Sequence, residues 1–144
     1  MNIYKIPFLQ RAKCALCGKT VLGNVVERLY NSEQFWFRTN TGKLILVKAE
    51  SVCNWTGKYD SYHTQIFEGD VLELSVEVEG KSYCERFVVA YNKIYAAYCL
   101  FNKHGRFDEP GLDILSSEDV RVVGNIYDNP ELVDGWEDPE GDSL

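Results

Sequence analysis

The sequence has no apolar run approaching the roughly 20 residues that a membrane-spanning helix requires, which excludes that architecture and any membrane partner it would bring. The opening Met1-Asn2-Ile3-Tyr4-Lys5 lacks the charged-then-apolar layout of a secretory signal, so a cytoplasmic location is the expectation. No Walker loop, dinucleotide fingerprint or Gly-x-Ser-x-Gly elbow occurs, and the two histidines, His63 and His104, fall in polar loops. The expectation is a protein that is not an enzyme and has no catalytic residues. Cysteine is present five times, an odd number that argues against a complete disulfide framework. Cys53, Cys84 and Cys99 sit among apolar or aromatic neighbours and read as small buried hydrophobes.

Basic residues are missing altogether after Arg121, whereas Asp128, Glu131, Asp134, Glu137, Asp138, Glu140 and Asp142 follow it. The net charge of -7 therefore belongs entirely to the carboxyl end. Residues 1–48 are the opposite, with eight bases against two acids. Such asymmetry suits a nucleic-acid-facing front, or head-to-tail attraction in a homo-oligomer; the plainer account is a solvated surface with a frayed acidic end. Residues 134–144 read as an acidic flexible tail.

What the chain has is core material. Of its 144 residues 45% are hydrophobic and 13% aromatic, enough for one domain over 1–133. Short runs rich in β-branched and aromatic residues recur between turn residues, the pattern of antiparallel β structure. Val25–Tyr30, Gln34–Arg38 and Lys43–Val47 read as a first meander, with turns at Asn31-Ser32-Glu33 and Thr39-Asn40-Thr41-Gly42. Val71–Val78 alternates most cleanly; Glu79-Gly80-Lys81 turns it into Tyr83–Tyr91, and Asn92-Lys93 turns that into Ile94–Phe101. Asn102–Gly111 reads as a loop and Val120–Val123 as a last strand. Asn129-Pro130-Glu131 carries helix-start chemistry, predicting one turn over Pro130–Val133 with the Asn129 side chain as its cap. The fold class expected is mainly β and antiparallel: an SH3-like or related small barrel or sandwich, with meander additions and one short carboxyl-terminal helical turn.

Two segments have a pattern beyond local structure. Trp55-Thr56-Gly57-Lys58-Tyr59-Asp60, followed by Ile66-Phe67-Glu68-Gly69-Asp70-Val71, is the first; Val122-Val123-Gly124-Asn125-Ile126-Tyr127-Asp128-Asn129-Pro130-Glu131-Leu132 is the second. Together and in this order they resemble the signatures of the YopX family of phage and prophage proteins. The resemblance covers about residues 53–133, while 1–50 form a divergent basic meander. It implies a β-rich, barrel-like fold and a bacterial host, and it supplies no catalytic residues. The residues themselves read as structural: Gly69 permits a backbone closed to other residues, Asp70 is expected to bond its own backbone two residues on, and Gly124-Asn125 suits a bulge or strand exit. Ile126 and Tyr127 would then face the core, with Trp136 as a last anchor. The functional alternative makes Glu68 and Asp70 a carboxylate pair for a cation or for acid–base work.

Two constellations could carry binding. Cys14-Ala15-Leu16-Cys17-Gly18-Lys19 has the shape of one zinc knuckle, although a closed site needs four ligands and no second Cys-x-x-Cys follows. His104 or His63 would be the further ligand; the plain alternative is no cofactor and two reduced thiols at a hairpin. Arg11, Lys13 and Lys19, with Trp36 and Arg38, resemble a single-strand nucleic-acid surface, against the ordinary reading of alternate strand aromatics as core. The leading expectation is a protein that binds an unknown partner or itself. A nucleic-acid-binding accessory factor is one alternative, and an acidic decoy or inhibitor of a host protein is another.

Overall fold

The computed structural model describes residues 10–28, 33–103, 105–106, 112 and 119–136. Among them the chain is mainly β, every ladder is antiparallel, and the helical segments are short 3-10 turns. Contacts divide it into two compact units, residues 1–55 and 56–144. The division falls close to the end of the basic meander.

Unit 1 is built from β1 (Gln10–Lys13), β2 (Thr20–Arg28), β3 (Gln34–Thr39) and β4 (Leu44–Lys48). They lie in the order β4-β3-β2-β1, and the start of β5 (Cys53–Tyr59) pairs with β1. Period-two alternation puts Ala12, Phe37 and Val47 into one cluster, with Val21, Val25, Phe35, Ile45 and Val52 packed against it. The alternate aromatics Phe35 and Phe37 thus serve the core, as burial habits dictate. The Thr39–Gly42 turn forms as expected: Gly42 N–H donates to the Thr39 carbonyl at 2.9 Å. Asn31 and Ser32 lie outside the described residues.

Unit 2 holds the remainder of β5, β6 (Gln65–Phe67), and a five-stranded sheet. That sheet runs in the order β10 (Gly105–Arg106), β9 (Ala97–Asn102), β8 (Lys81–Asn92), β7 (Asp70–Val78), β11 (Asp119–Asn125). It is open, not closed into a barrel. Its core gathers Ile66, Leu72, Leu74, Phe87, Val89, Leu100, Leu112 and Val120. Pro130–Val133 forms a 3-10 turn.

Several expectations are corrected. Cys84 is exposed, unlike Cys53 and Cys99, because it stands opposite Ser75 on the face of β7–β8 turned away from Leu72, Leu74 and Phe87. Residues 93–96 form a turn and β9 starts only at Ala97, because the Asn92 carboxamide accepts the amides of Ile94 and Tyr95 and bends the chain away from the ladder. Gly105–Arg106 adds a short strand inside the expected loop. The Asn129 side chain does not cap the helical turn. The 137–144 portion of the acidic tail lies outside the described residues.

Candidate functional site

The signature segments meet within unit 2, and their chemistry there is that of a latch. Gly69 stands at φ +86°, between β6 and β7, where its N–H donates to the Val89 carbonyl at 2.7 Å and its carbonyl accepts from Ile126 N–H at 3.0 Å. A Cβ on Gly69 would stand 2.7 Å from the Tyr127 ring, so glycine is required both by backbone conformation and by space. Beside it, Asp70 pairs with Asn125 and Val71 with Gly124 across a bulge between Val122 and Gly124. A Cβ on Gly124 would come within 2.5 Å of the Asn129 side-chain Oδ1 and 2.9 Å of the Leu132 side chain. Asn129 therefore folds back, and its side chain accepts from Asn125 N–H at 3.3 Å instead of capping Pro130–Val133.

Asp70 is fully buried, and its Oδ2 accepts from Phe67 N–H at 2.8 Å. This bond runs three residues back along the chain. The turn at Gly69 brings the Phe67 amide back over the first residue of β7. Tyr127 is half exposed and covers Gly69 from outside, in contrast to the core position expected. Asn125 Oδ1 accepts from Tyr127 and Asp128 N–H at 3.0 and 2.8 Å, which turns the chain out of β11.

Sequence reasoning passed over Asp60. Its Oδ1 accepts from Tyr62 and Thr64 N–H, both at 2.8 Å, and its Oδ2 accepts from Val122 N–H at 3.0 Å. Next to it, Ser61 Oγ accepts from Val120 N–H at 2.8 Å and Ser61 N–H donates to the Val120 carbonyl at 2.9 Å. The turn between β5 and β6 is thereby clasped to β11, and a buried carboxylate satisfies three backbone donors. The available signal was Asp60 standing two and four residues before amides in a polar turn, the spacing of an Asx motif. Asp60, Gly69, Asp70, Gly124 and Asn129 thus hold parts of the chain together.

The outer face of the unit 2 sheet carries a groove of about 520 Å³, lined among others by Glu73, Cys84, Arg86, Lys103, Leu132 and Trp136. Arg86 Nε lies 3.5 Å from Glu73 Oε2, and Cys84 Sγ lies 3.5 Å from Ser75 Oγ. The Trp136 backbone N–H donates to the Val133 carbonyl at 3.1 Å, and Trp136 lines this groove. On the opposite face of β7 and β8, beyond the core positions Leu72, Leu74 and Phe87, stand Val78 and Tyr83, 51% and 53% exposed, with Glu85 and Lys81 on the same face. The β7–β8 hairpin thus ends in an arm whose core-side face meets solvent.

In unit 1, β1 alternates Arg11 and Lys13 with buried Ala12, and β3 alternates Trp36 and Arg38 with buried Phe37. Since Ala12 and Phe37 share one core, Arg11, Lys13, Trp36 and Arg38 share the other face of the sheet. Lys48, absent from the sequence reading, stands on that face as well, opposite Gln34. Lys19 sits at the β1–β2 turn.

The same turn holds the cysteine pair. Cys14 N–H donates to the Lys19 carbonyl and Gly18 N–H to the Cys14 carbonyl, both at 2.9 Å, with Gly18 at φ +73°. The Cys14 thiol is held below its ordinary value by a hydrogen bond from the Cys17 amide first, then by the Cys17 side chain and the Leu16 and Gly18 amides, against the opposing effect of desolvation. Among the described residues no group of three or more Cys, His, Asp or Glu is placed to hold a metal ion. His63 lies exposed in the β5–β6 turn at φ +64°, and His104 is outside the described residues.

The fold and its signature latch define an all-β protein whose recognisable residues maintain architecture. A profile of the YopX protein family matches residues 12–134, and the chain belongs to that family. The match extends into the basic meander, beyond the part where the signatures are evident. No curated protein matches the chain. Among the described residues no helix is long and apolar enough to cross a membrane.

Proposed function

We propose that this YopX-family chain is a non-enzymatic protein of phage or prophage origin that works in the cytoplasm of a bacterial host by binding a protein partner or a second copy of itself. The observation that carries this reading is the β7–β8 arm, where Val78 and Tyr83 stand exposed beyond the core on the core-side face, flanked by Glu85 and Lys81. Tyrosine beside an aliphatic side chain on an exposed strand pair is the composition of an interface centre, with large contact area and little conformational entropy to lose. The test is the double variant Val78→Ser/Tyr83→Ser, compared with the unaltered chain, both in the presence of a metal chelator, for mass in solution and for proteins retained from lysogenic cells. Exposed positions of this kind change stability by less than about 0.5 kcal/mol, so association should be lost at an unchanged melting temperature. Unchanged association and capture would overturn the reading.

A second reading, a nucleic-acid accessory role, is favoured by the shared face of Arg11, Lys13, Trp36 and Arg38. Its mark would be binding of labelled single-stranded DNA or RNA that weakens steeply with salt. An absence of binding at low salt disposes of it.

A further inference from the structure

The turn between β1 and β2 presents two thiols in the form metal sites use, and it presents them at the end of a hairpin. Lys13 pairs with Thr20 at its base, and the bonds from Cys14 N–H to the Lys19 carbonyl and from Gly18 N–H to the Cys14 carbonyl close the loop. The bond from Gly18 N–H to the Cys14 carbonyl closes one tight turn that holds both cysteines on the same short loop. Gly18 at φ +73° is what lets the chain reverse directly after Cys17. This is the arrangement in which backbone donors share the charge of metal-bound thiolates.

We infer that Cys14 and Cys17 are one half of a tetrahedral four-cysteine zinc site, completed by the same two residues of a second copy of this chain. Structural zinc sites take four ligands, and the described residues of one chain bring two together here with no cluster of three. A two-fold axis through the metal supplies the other pair without any further sequence requirement, since such an interface uses one patch twice. Two features of the hairpin end suit that position. Leu16, between the cysteines, is 90% exposed, and a second copy would cover it. Four thiolates around one zinc leave two excess negative charges, and Lys19 of each copy stands next to the loop to balance them. The inference is independent of the β7–β8 arm, which belongs to unit 2.

The experiment uses the full chain, expressed with zinc in the medium and purified without chelator under a phosphine reductant. Metal content and mass by light scattering are read together. About one zinc per two chains, in a dimer that becomes monomeric when the metal is chelated, is the expected result. Replacing zinc with cobalt should give the thiolate-to-metal charge-transfer bands of a tetrahedral sulfur set. Cys17→Ser should abolish both metal and dimer while keeping the far-ultraviolet dichroism of the chelated chain, and Cys84→Ser should keep both. One zinc per chain in a monomer would mean that the site closes within the chain, and would overturn the inference. So would absence of zinc, or, in the Val78→Ser/Tyr83→Ser chain, a dimer that survives chelation. Loss of zinc-dependent dimerisation on Val78→Ser/Tyr83→Ser would also overturn it, by placing the contact on the arm.

Discussion

Gly69 shows how one residue serves two requirements that a side chain cannot meet together. Its backbone is left-handed, and the Tyr127 ring occupies the space a Cβ would need. Gly69→Ala is therefore expected to cost about 1–3 kcal/mol, the range for a strained backbone position, with added loss from displacing the ring. Chemical denaturation measures it, and the double variant Gly69→Ala/Tyr127→Ala should recover the part due to the ring. Asp70 and Asp60 illustrate the same economy with carboxylates: each is buried, and each is satisfied by backbone amides. A turn-forming Asp or Gly was evident from residue type. Which amide it meets was not, because that partner lies back along the chain for Asp70 and 62 residues away for the Asp60–Val122 bond.

Among the elements, β7 and β8 form the longest ladder, eight residue pairs from Val71↔Val88 to Val78↔Lys81. They are joined by Glu79 and Gly80 alone, at φ +53° and +80°, the two left-handed residues of a tight hairpin turn. Glycine takes that conformation freely; glutamate does not. Glu79→Asn is expected to raise stability by about 1 kcal/mol, since Asn tolerates the left-handed region and leaves the ladder intact. A shift in the urea midpoint with an unchanged slope would confirm it, and no shift would show that the arm frays independently of the core. The strands with strong alternation or β-branched runs were evident from sequence: β3, β4, β7, β8 and β11 lie within a few residues of expectation. β1 was missed because Gln-Arg-Ala-Lys holds only one apolar residue, and it is a strand because β2 and β5 pair with both of its edges.

For the molecule as a whole, two cores with no residue in common organise the two units. In unit 2, Tyr98 packs against the core edge-on to Tyr91, with ring centroids 5.3 Å apart. Burial above all, and then the nearby Glu68 carboxylate and Tyr91, raise its phenol above the ordinary value. The neutral phenol is therefore the form the fold favours. Once the unfolded chain begins to ionise, at about pH 10, the unfolded state binds fewer protons and stability falls as pH rises toward the folded value. Tyr98→Phe has no such proton to lose. Urea midpoints at about pH 8 and about pH 11 should show the unaltered chain losing more stability than the variant; equal losses would refute the assignment.

By itself the sequence determined the fold class, the family and the positions of the turns, because alternation, β-branching and Gly, Asn and Asp placement act over a few neighbouring residues. It also marked Cys14 and Cys17 as a pair and set the bases apart from the acids. Only the tertiary structure decided that the two signature segments lie side by side, that Cys84 faces solvent while Cys53 is buried, and that Arg11, Lys13, Trp36 and Arg38 share a face. Those facts depend on which strands pair and in what register. A shift of one residue would send every one of these side chains to the opposite side of its sheet.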